Sequence, residues 1–177
     1  LVRPYFFGRA WALKFGSPLP AQSRPRVPDD KSSFHFQVGT KVHLLLQNED
    51  WKNLSQTGLK LDAFKQWLET GEGKNVFDAT HSRKFIREFA FDWKTKTEIG
   101  EVVVAGRIDR LVEFADGSCW IVDYKVLFSQ KTSEEFANEY REQMRVYREA
   151  VTALTGKPVR TFLLDVTAAT GKIFHEV

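Results

Sequence analysis

The 177-residue sequence has one cysteine and one methionine, and no apolar run approaches the roughly 18–20 residues that a membrane helix needs. The lone Cys119 excludes an internal disulfide, a cysteine-rich zinc site and a four-cysteine iron–sulfur cluster. Acid is missing from residues 1–28, where Arg3, Arg9, Lys14, Arg24 and Arg26 accompany five of the six prolines. The rest of the chain holds 21 basic and 23 acidic side chains, so the net charge of +3 comes from this arm. Arg9 and Lys14 interrupt its apolar stretches and make it a poor signal peptide. The chain begins at Leu1 and not at methionine, and it is expected to be a piece of a longer polypeptide. Residues 1–30 then form a basic, proline-rich arm or linker, and residues 31–177 form one domain. No membrane partner is expected, and the composition suits a cytoplasmic protein.

What is present is core material: 42% of the residues are hydrophobic, with 15 Phe, 5 Trp and 4 Tyr. Ser32-Ser33 can cap a helix to about Gln47, with Phe36, Gly39, Val42, His43 and Leu46 on one face. Leu61–Thr70 reads as a second amphipathic helix, with Gly71 in the place of a terminating glycine. The period then changes to two, because Phe85, Phe89, Phe91 and Trp93 alternate with charged residues as in a strand. Glu101–Gly106 is a second strand, which Arg107–Phe114 continues or follows as a third. Asp116-Gly117 signals a hairpin into Cys119–Val126. Thr132-Ser133-Glu134-Glu135 matches a capping box, and its helix runs to about Thr155 before Gly156 and Pro158. Val159–Val166 and Lys172–Val177 are the last strands. The order implies an α/β domain, a mixed sheet flanked by helices.

Several residues break these patterns. Asp123 and Lys125 share a face of an otherwise apolar strand, either as a partly buried ion pair, as a strand end reaching solvent, or as part of a site. Asp109 interrupts the strand before it, and a turn centred near residue 116.5 sets position 109 roughly opposite position 124. Asp109 and Asp123 can therefore approach one another, which two carboxylates do only with a cation nearby. Such oxygen-rich sites suit Mg²⁺ or Mn²⁺. Along the last helix Phe136, Tyr140, Gln143, Tyr147, Val151 and Leu154 follow a buried stripe in which Gln143 is the polar misfit. It is either a core glutamine bonded to backbone or a site residue. His43 is likewise either a satisfied core histidine or a ligand. Glu88 points with Ile86 and Ala90 away from the Phe stripe, and could simply be exposed.

The order Gly39-Thr-Lys-Val-His43, Arg87-Glu-Phe-Ala-Phe91, Gly106-Arg-Ile-Asp-Arg110, Ile121-Val-Asp-Tyr-Lys125 and Gln143-Met-Arg-Val-Tyr147 resembles the RecB-family nuclease domain of the PD-(D/E)XK superfamily. Such domains occur at the C-terminus of UvrD/Rep-like helicases and as stand-alone exonucleases. The resemblance covers about Gly39 to Asp165, and the spacing of 14 between Asp109 and Asp123 carries much of it. It implies the restriction-endonuclease-like core of that superfamily, with the metal site at one edge. It implies that His43, Asp109, Asp123 and the Tyr124 carbonyl hold Mg²⁺, with Mn²⁺ able to substitute. Lys125 would position the attacking water, Gln143 and Tyr147 would frame the catalytic site, and Glu88 would support it. The single cysteine places the chain with the cluster-free relatives, without an iron–sulfur cluster. The implied activity is hydrolysis of DNA phosphodiesters, exonucleolytic before endonucleolytic, in a nucleoid-associated helicase–nuclease of repair or recombination. The sequence lacks a Walker-type Gly-Lys-Ser/Thr loop, so the helicase motor would lie elsewhere on the polypeptide or in a complex. The alternative is a non-catalytic DNA-binding or scaffolding module that keeps the nuclease fold.

Overall fold

The computed structural model describes residues 30–81, 84–97, 100–128, 131–169 and 171–177. The basic arm therefore lies outside the described residues. Four helices, α1 (Asp30–Gln47), α2 (Trp51–Ser55), α3 (Asp62–Leu68) and α4 (Gly71–Phe77), precede the strands β1 (Lys84–Thr97), β2 (Gly100–Glu113) and β3 (Cys119–Lys125). The long α5 (Ser133–Thr155) follows, then β4 (Val159–Asp165) and β5 (Phe174–Glu176). The strands form one sheet in the order β1-β2-β3-β4-β5. Three pairings are antiparallel, and β3 with β4 is parallel because α5 carries the chain back across the sheet. The sheet is mixed and helix-flanked, as the sequence implies.

Each face has its own core. Val42, Leu46, Phe64, Trp67, Val122, Tyr124, Phe162 and Phe174 pack on the side of the N-terminal helices. Ile108, Ile121, Met144, Tyr147, Val151 and Leu163 pack beneath α5. Each fully buried aliphatic or aromatic side chain contributes about 1.5–3 kcal/mol, so these layers fix the strands on which the site stands. The capping box forms as read: Thr132 Oγ1 accepts from the Glu135 N–H, and Glu135 accepts from the Thr132 N–H. Gly156 ends α5 with φ 68°.

Local expectations fail where the sequence period is too short or too regular. Helix α1 starts at Asp30, so Ser32 and Ser33 lie inside it, and Phe36 is 62% exposed while Leu45 is buried. Gly71 opens α4 and does not end α3, because Thr70 caps the new helix by accepting from the Gly73 N–H. Leu154 remains half-exposed in the last turn of α5.

The largest departure is in β1 and β2. Ile86 pairs with Leu111 and Phe89 with Ile108, and all four side chains face α5. Even alternation would send residues three apart to opposite faces. Both strands change face together between these pairs, at Glu88 and Asp109. Glu88 has φ 52°, a left-handed conformation that costs a non-glycine residue about 1 kcal/mol or more. Phe85 consequently lies on the other face from Phe89, Phe91 and Trp93, under the Arg110 guanidinium.

Candidate active site

The ladder between β2 and β3 ends at Arg110↔Val122, while β3 continues along β4 to Lys125↔Asp165. Beyond that point β2 stays with β1 and β3 with β4, so the sheet forks. Asp109 stands on one prong, Asp123 and Lys125 on the other. The carboxylates are on the second and the central strand, not on an outer one. The observed register is one residue off the expected one and, continued past the last pair, would set Asp109 opposite Asp123 rather than Tyr124. Asp109 stands just beyond that last pair, and its Oδ2 accepts the Tyr124 N–H at 2.7 Å.

A cleft of about 750 Å³ opens at this fork. Its walls include His43 from α1, Glu88 and Asp92 from β1, Arg107 and Asp109 from β2, Asp123 and Lys125 from β3, and Gln143 and Tyr147 from α5. Every side chain singled out from the sequence as a site residue thus reaches one cleft. Tyr124 does not line the cleft: its N–H bonds Asp109, and its ring is buried on the α1 side against His43 and Phe77.

Lys125 is 7% exposed, with its ammonium 2.5 Å from Asp123 Oδ2 and 3.5 Å from Gln143 Oε1. Among the described residues that same Asp123 oxygen makes no well-aligned hydrogen bond, so its tie to Lys125 is a contact of charges. The Gln143 amide donates to Asp123 Oδ1 (3.3 Å) and to the Tyr147 hydroxyl (3.0 Å). Tyr147 in turn donates to the Arg107 carbonyl at 2.9 Å. Gln143 is therefore bonded to side chains of the site and not to backbone. Tyr147 reaches β2 because residue 106 is glycine: a Cβ there would sit 2.3 Å from the Phe91 ring and 3.1 Å from that of Tyr147.

His43 Nδ1 lies 3.3 Å from Asp109 Oδ2, and its Nε2 is buried without a hydrogen-bond partner among the described residues. Burial pushes the Asp109 carboxyl up, but the His43 ring, the Tyr124 N–H and the Lys125 ammonium outweigh it and hold the group below the ordinary range. Burial dominates at Asp123 and raises it in spite of Lys125, with the neighbouring Asp109 charge adding to the rise. The two carboxylates are driven apart in acidity, as crowded like charges are.

The sequence reading missed Tyr140 and Arg107. The Tyr140 ring stacks 4.1 Å from the Lys125 ammonium, and burial, with Glu139 alongside, pushes its phenol up to about 12. Its position three residues before Gln143, on the same helix face, was the available signal. Arg107 lay inside a quoted motif without a role. Glu88 does turn into the cleft with Ala90, but Ile86 does not accompany them, because of the change of face.

One imidazole and two carboxylates are a donor set that suits a hard divalent cation, and the partnerless His43 Nε2 fits such a ligand. Among the described residues no three His, Cys, Asp or Glu side chains already stand together as a ligand set. Lys125 holds Asp123, and Asp109 is engaged by His43 and Tyr124. Among the described residues, no helix is long and apolar enough to cross a membrane.

No curated protein matches the sequence significantly. A family model described as the PD-(D/E)XK nuclease superfamily matches residues 9–176, well beyond the stretch that carries the motifs. With the mixed sheet and the forked cleft in place, the chain belongs to the PD-(D/E)XK nuclease superfamily.

Proposed function

We propose that this chain is a metal-dependent deoxyribonuclease, with Mg²⁺ as the working ion and Mn²⁺ as a substitute, acting as an exonuclease. The observation that carries this reading is the convergence of Asp109, Asp123 and Lys125 at the fork, with Gln143 bonded to Asp123, Lys125 and Tyr147. A structural ion pair has no need of a second buried carboxylate beside it, since an extra like charge in a dry site is costly.

In this reading His43, Asp109, Asp123 and the Tyr124 carbonyl hold the ion, which when bound polarises the scissile phosphate and acidifies a water. Lys125, held here on Asp123, would present its ammonium to the attacking oxygen and to the charge that grows on the phosphate. Gln143 keeps that ammonium in reach, and Tyr147 keeps Gln143 in reach. The Tyr140 face confines the cation to the cleft side. The arm of residues 1–30 adds phosphate contacts or links the domain to a helicase motor, consistent with a role in repair or recombination at the nucleoid.

The rival reading, a non-catalytic DNA-binding module, draws on the lack of a preassembled ligand set among the described residues. Incubating the full chain with end-labelled single- and double-stranded DNA, and with RNA, separates them. Cleavage in Mg²⁺ or Mn²⁺ that stops in chelator supports the nuclease, and stepwise shortening supports the exonuclease. DNA retained but uncut in every metal supports the module and overturns the proposal.

A further inference from the structure

We propose that Arg107 is the clamp for a substrate phosphate in this cleft, and that Glu88 is the positioning residue that holds its guanidinium ready. The proposal rests on the nuclease reading above and names a substrate contact within it.

The cleft is acidic. Glu88, Asp92, Asp109 and Asp123 line it, whereas its lining cations among the described residues are Lys125 and Arg107. Lys125 is buried against Asp123. A polyanionic strand entering such a cleft needs an accessible cation, and Arg107 supplies one: its side chain is 67% exposed. Its backbone is fixed where its head is free. The Tyr147 hydroxyl bonds its carbonyl at 2.9 Å, and Arg107 pairs with Ala90 in the ladder. Arg107 also stands two residues before Asp109, so a phosphate held by its fork-shaped donors lies next to the carboxylates.

Glu88 explains the aim of this side chain. Its Oε2 lies 3.4 Å from Arg107 Nη1, a long contact that a phosphate can displace. Glu88 reaches it only through the change of face in β1, which is bought with a left-handed backbone at a residue that is not glycine. Strain kept in the middle of a strand and next to a cleft points to use.

The test measures binding of a fluorescent single-stranded oligonucleotide to the full chain without divalent metal across a salt series, beside steady-state cleavage in Mg²⁺. Arg107→Gln should weaken binding about tenfold and reduce the log–log salt slope by about one, the loss of one phosphate contact. KM should rise while kcat changes far less, and the urea midpoint should stay. Glu88→Gly suits the left-handed backbone, so its thermal midpoint should hold or rise while KM rises. The double variant should be no worse than Arg107→Gln alone, because Glu88 acts through Arg107. An unchanged salt slope and KM in Arg107→Gln, with a wild type that binds and cuts, overturns the clamp and leaves the nuclease standing. A fall in kcat of Glu88→Gly that excess Mn²⁺ restores makes Glu88 a metal ligand and overturns its positioning role. A folded wild type that neither binds nor cuts DNA overturns both readings.

Discussion

The Asp109 carboxylate accepts the Tyr124 amide hydrogen at 2.7 Å, at the place where the β2–β3 ladder has just ended. A side chain thus takes the position of a ladder partner, and the fork is closed by the same group that faces the cleft. This double duty separates two substitutions. Asp109→Asn keeps a carbonyl acceptor for the amide, so the fold should lose less than about 1 kcal/mol while cleavage falls by orders of magnitude. Asp109→Ala leaves the N–H of the buried Tyr124 without this acceptor and should cost about 1–3 kcal/mol in urea unfolding as well. Equal stability loss in both variants would show that the hydrogen bond does not hold the fork.

A second relationship lies under the site. Arg110 is 0% exposed, sandwiched between the Phe77 and Phe85 rings, and its Nη2 lies 2.8 Å from Glu49 Oε1. Arg87 approaches the same oxygen at 2.8 Å. Burial pushes Glu49 up, but the two guanidinium groups win and hold it below its ordinary 4.5. A depressed carboxyl stabilises the fold above its unfolded-state pKa, and that contribution disappears as pH falls through the folded-state pKa. Glu49→Gln should therefore cost about 3 kcal/mol at pH 7, the low end for breaking a buried pair since Glu49 is itself a quarter exposed. The wild-type and variant urea midpoints should begin to approach one another as pH falls below the ordinary 4.5 and converge as it passes the lower folded-state value. Curves that stay parallel throughout the acid limb would remove Glu49 as the counter-charge of Arg110.

Arg110 also marks the limit of what the residues disclose by themselves. Asp109, Asp123 and Lys125 are legible because a hairpin signal and a period of two are local, so their convergence follows from counting along the chain. Gln143 is legible because it interrupts a helical stripe, and Tyr147 because it stands one turn further along the same face. An arginine in a strand reads as a solvent-facing charge, and its burial depends on Glu49, 61 positions away. The change of face at Glu88 is equally silent, because nothing in Arg87-Glu88-Phe89 favours a left-handed backbone. Helices α2 and α4, with 5 and 7 residues, are too short to show a period of 3.6. What was readable was local pattern, and what was not was the partner supplied by a distant element.

His43 and Gln143 should fail differently. His43→Ala removes a ring that packs on Tyr124 and contacts Asp109 and whose Nε2 has no hydrogen-bond partner among the described residues, so some stability should be lost while the lost activity returns in part at high Mn²⁺. Gln143→Ala deletes the groups that hold Lys125, Asp123 and Tyr147, and added metal cannot replace them. Its activity should fall about 100-fold without rescue, the scale for losing a supporting partner of a site. Cleavage rates across a Mn²⁺ titration check both, and rescue of Gln143→Ala would move that residue to the metal.

Asp123 and Lys125 make the sharpest contrast, because they are in contact and two residues apart. Asp123→Asn removes a charge that the proposed metal site requires and takes the carboxylate partner from the buried ammonium beside Gln143 and the Tyr140 ring. Metal affinity and cleavage should fall together, and stability should fall by about 3 kcal/mol, as for a buried ion deprived of its partner. Lys125→Ala removes the cation that occupies Asp123 Oδ2 at 2.5 Å. Metal should then bind as well as in the wild type or tighter, since no ammonium has to be displaced. Cleavage should still collapse by a factor of about 10³ or more, because the transition-state charge has lost its nearest donor. Calorimetric titration of Mn²⁺ into both variants, beside the cleavage assay, reads the two effects separately. Wild-type cleavage by Lys125→Ala would reduce the lysine to a structural counter-ion of Asp123 and remove it from the mechanism.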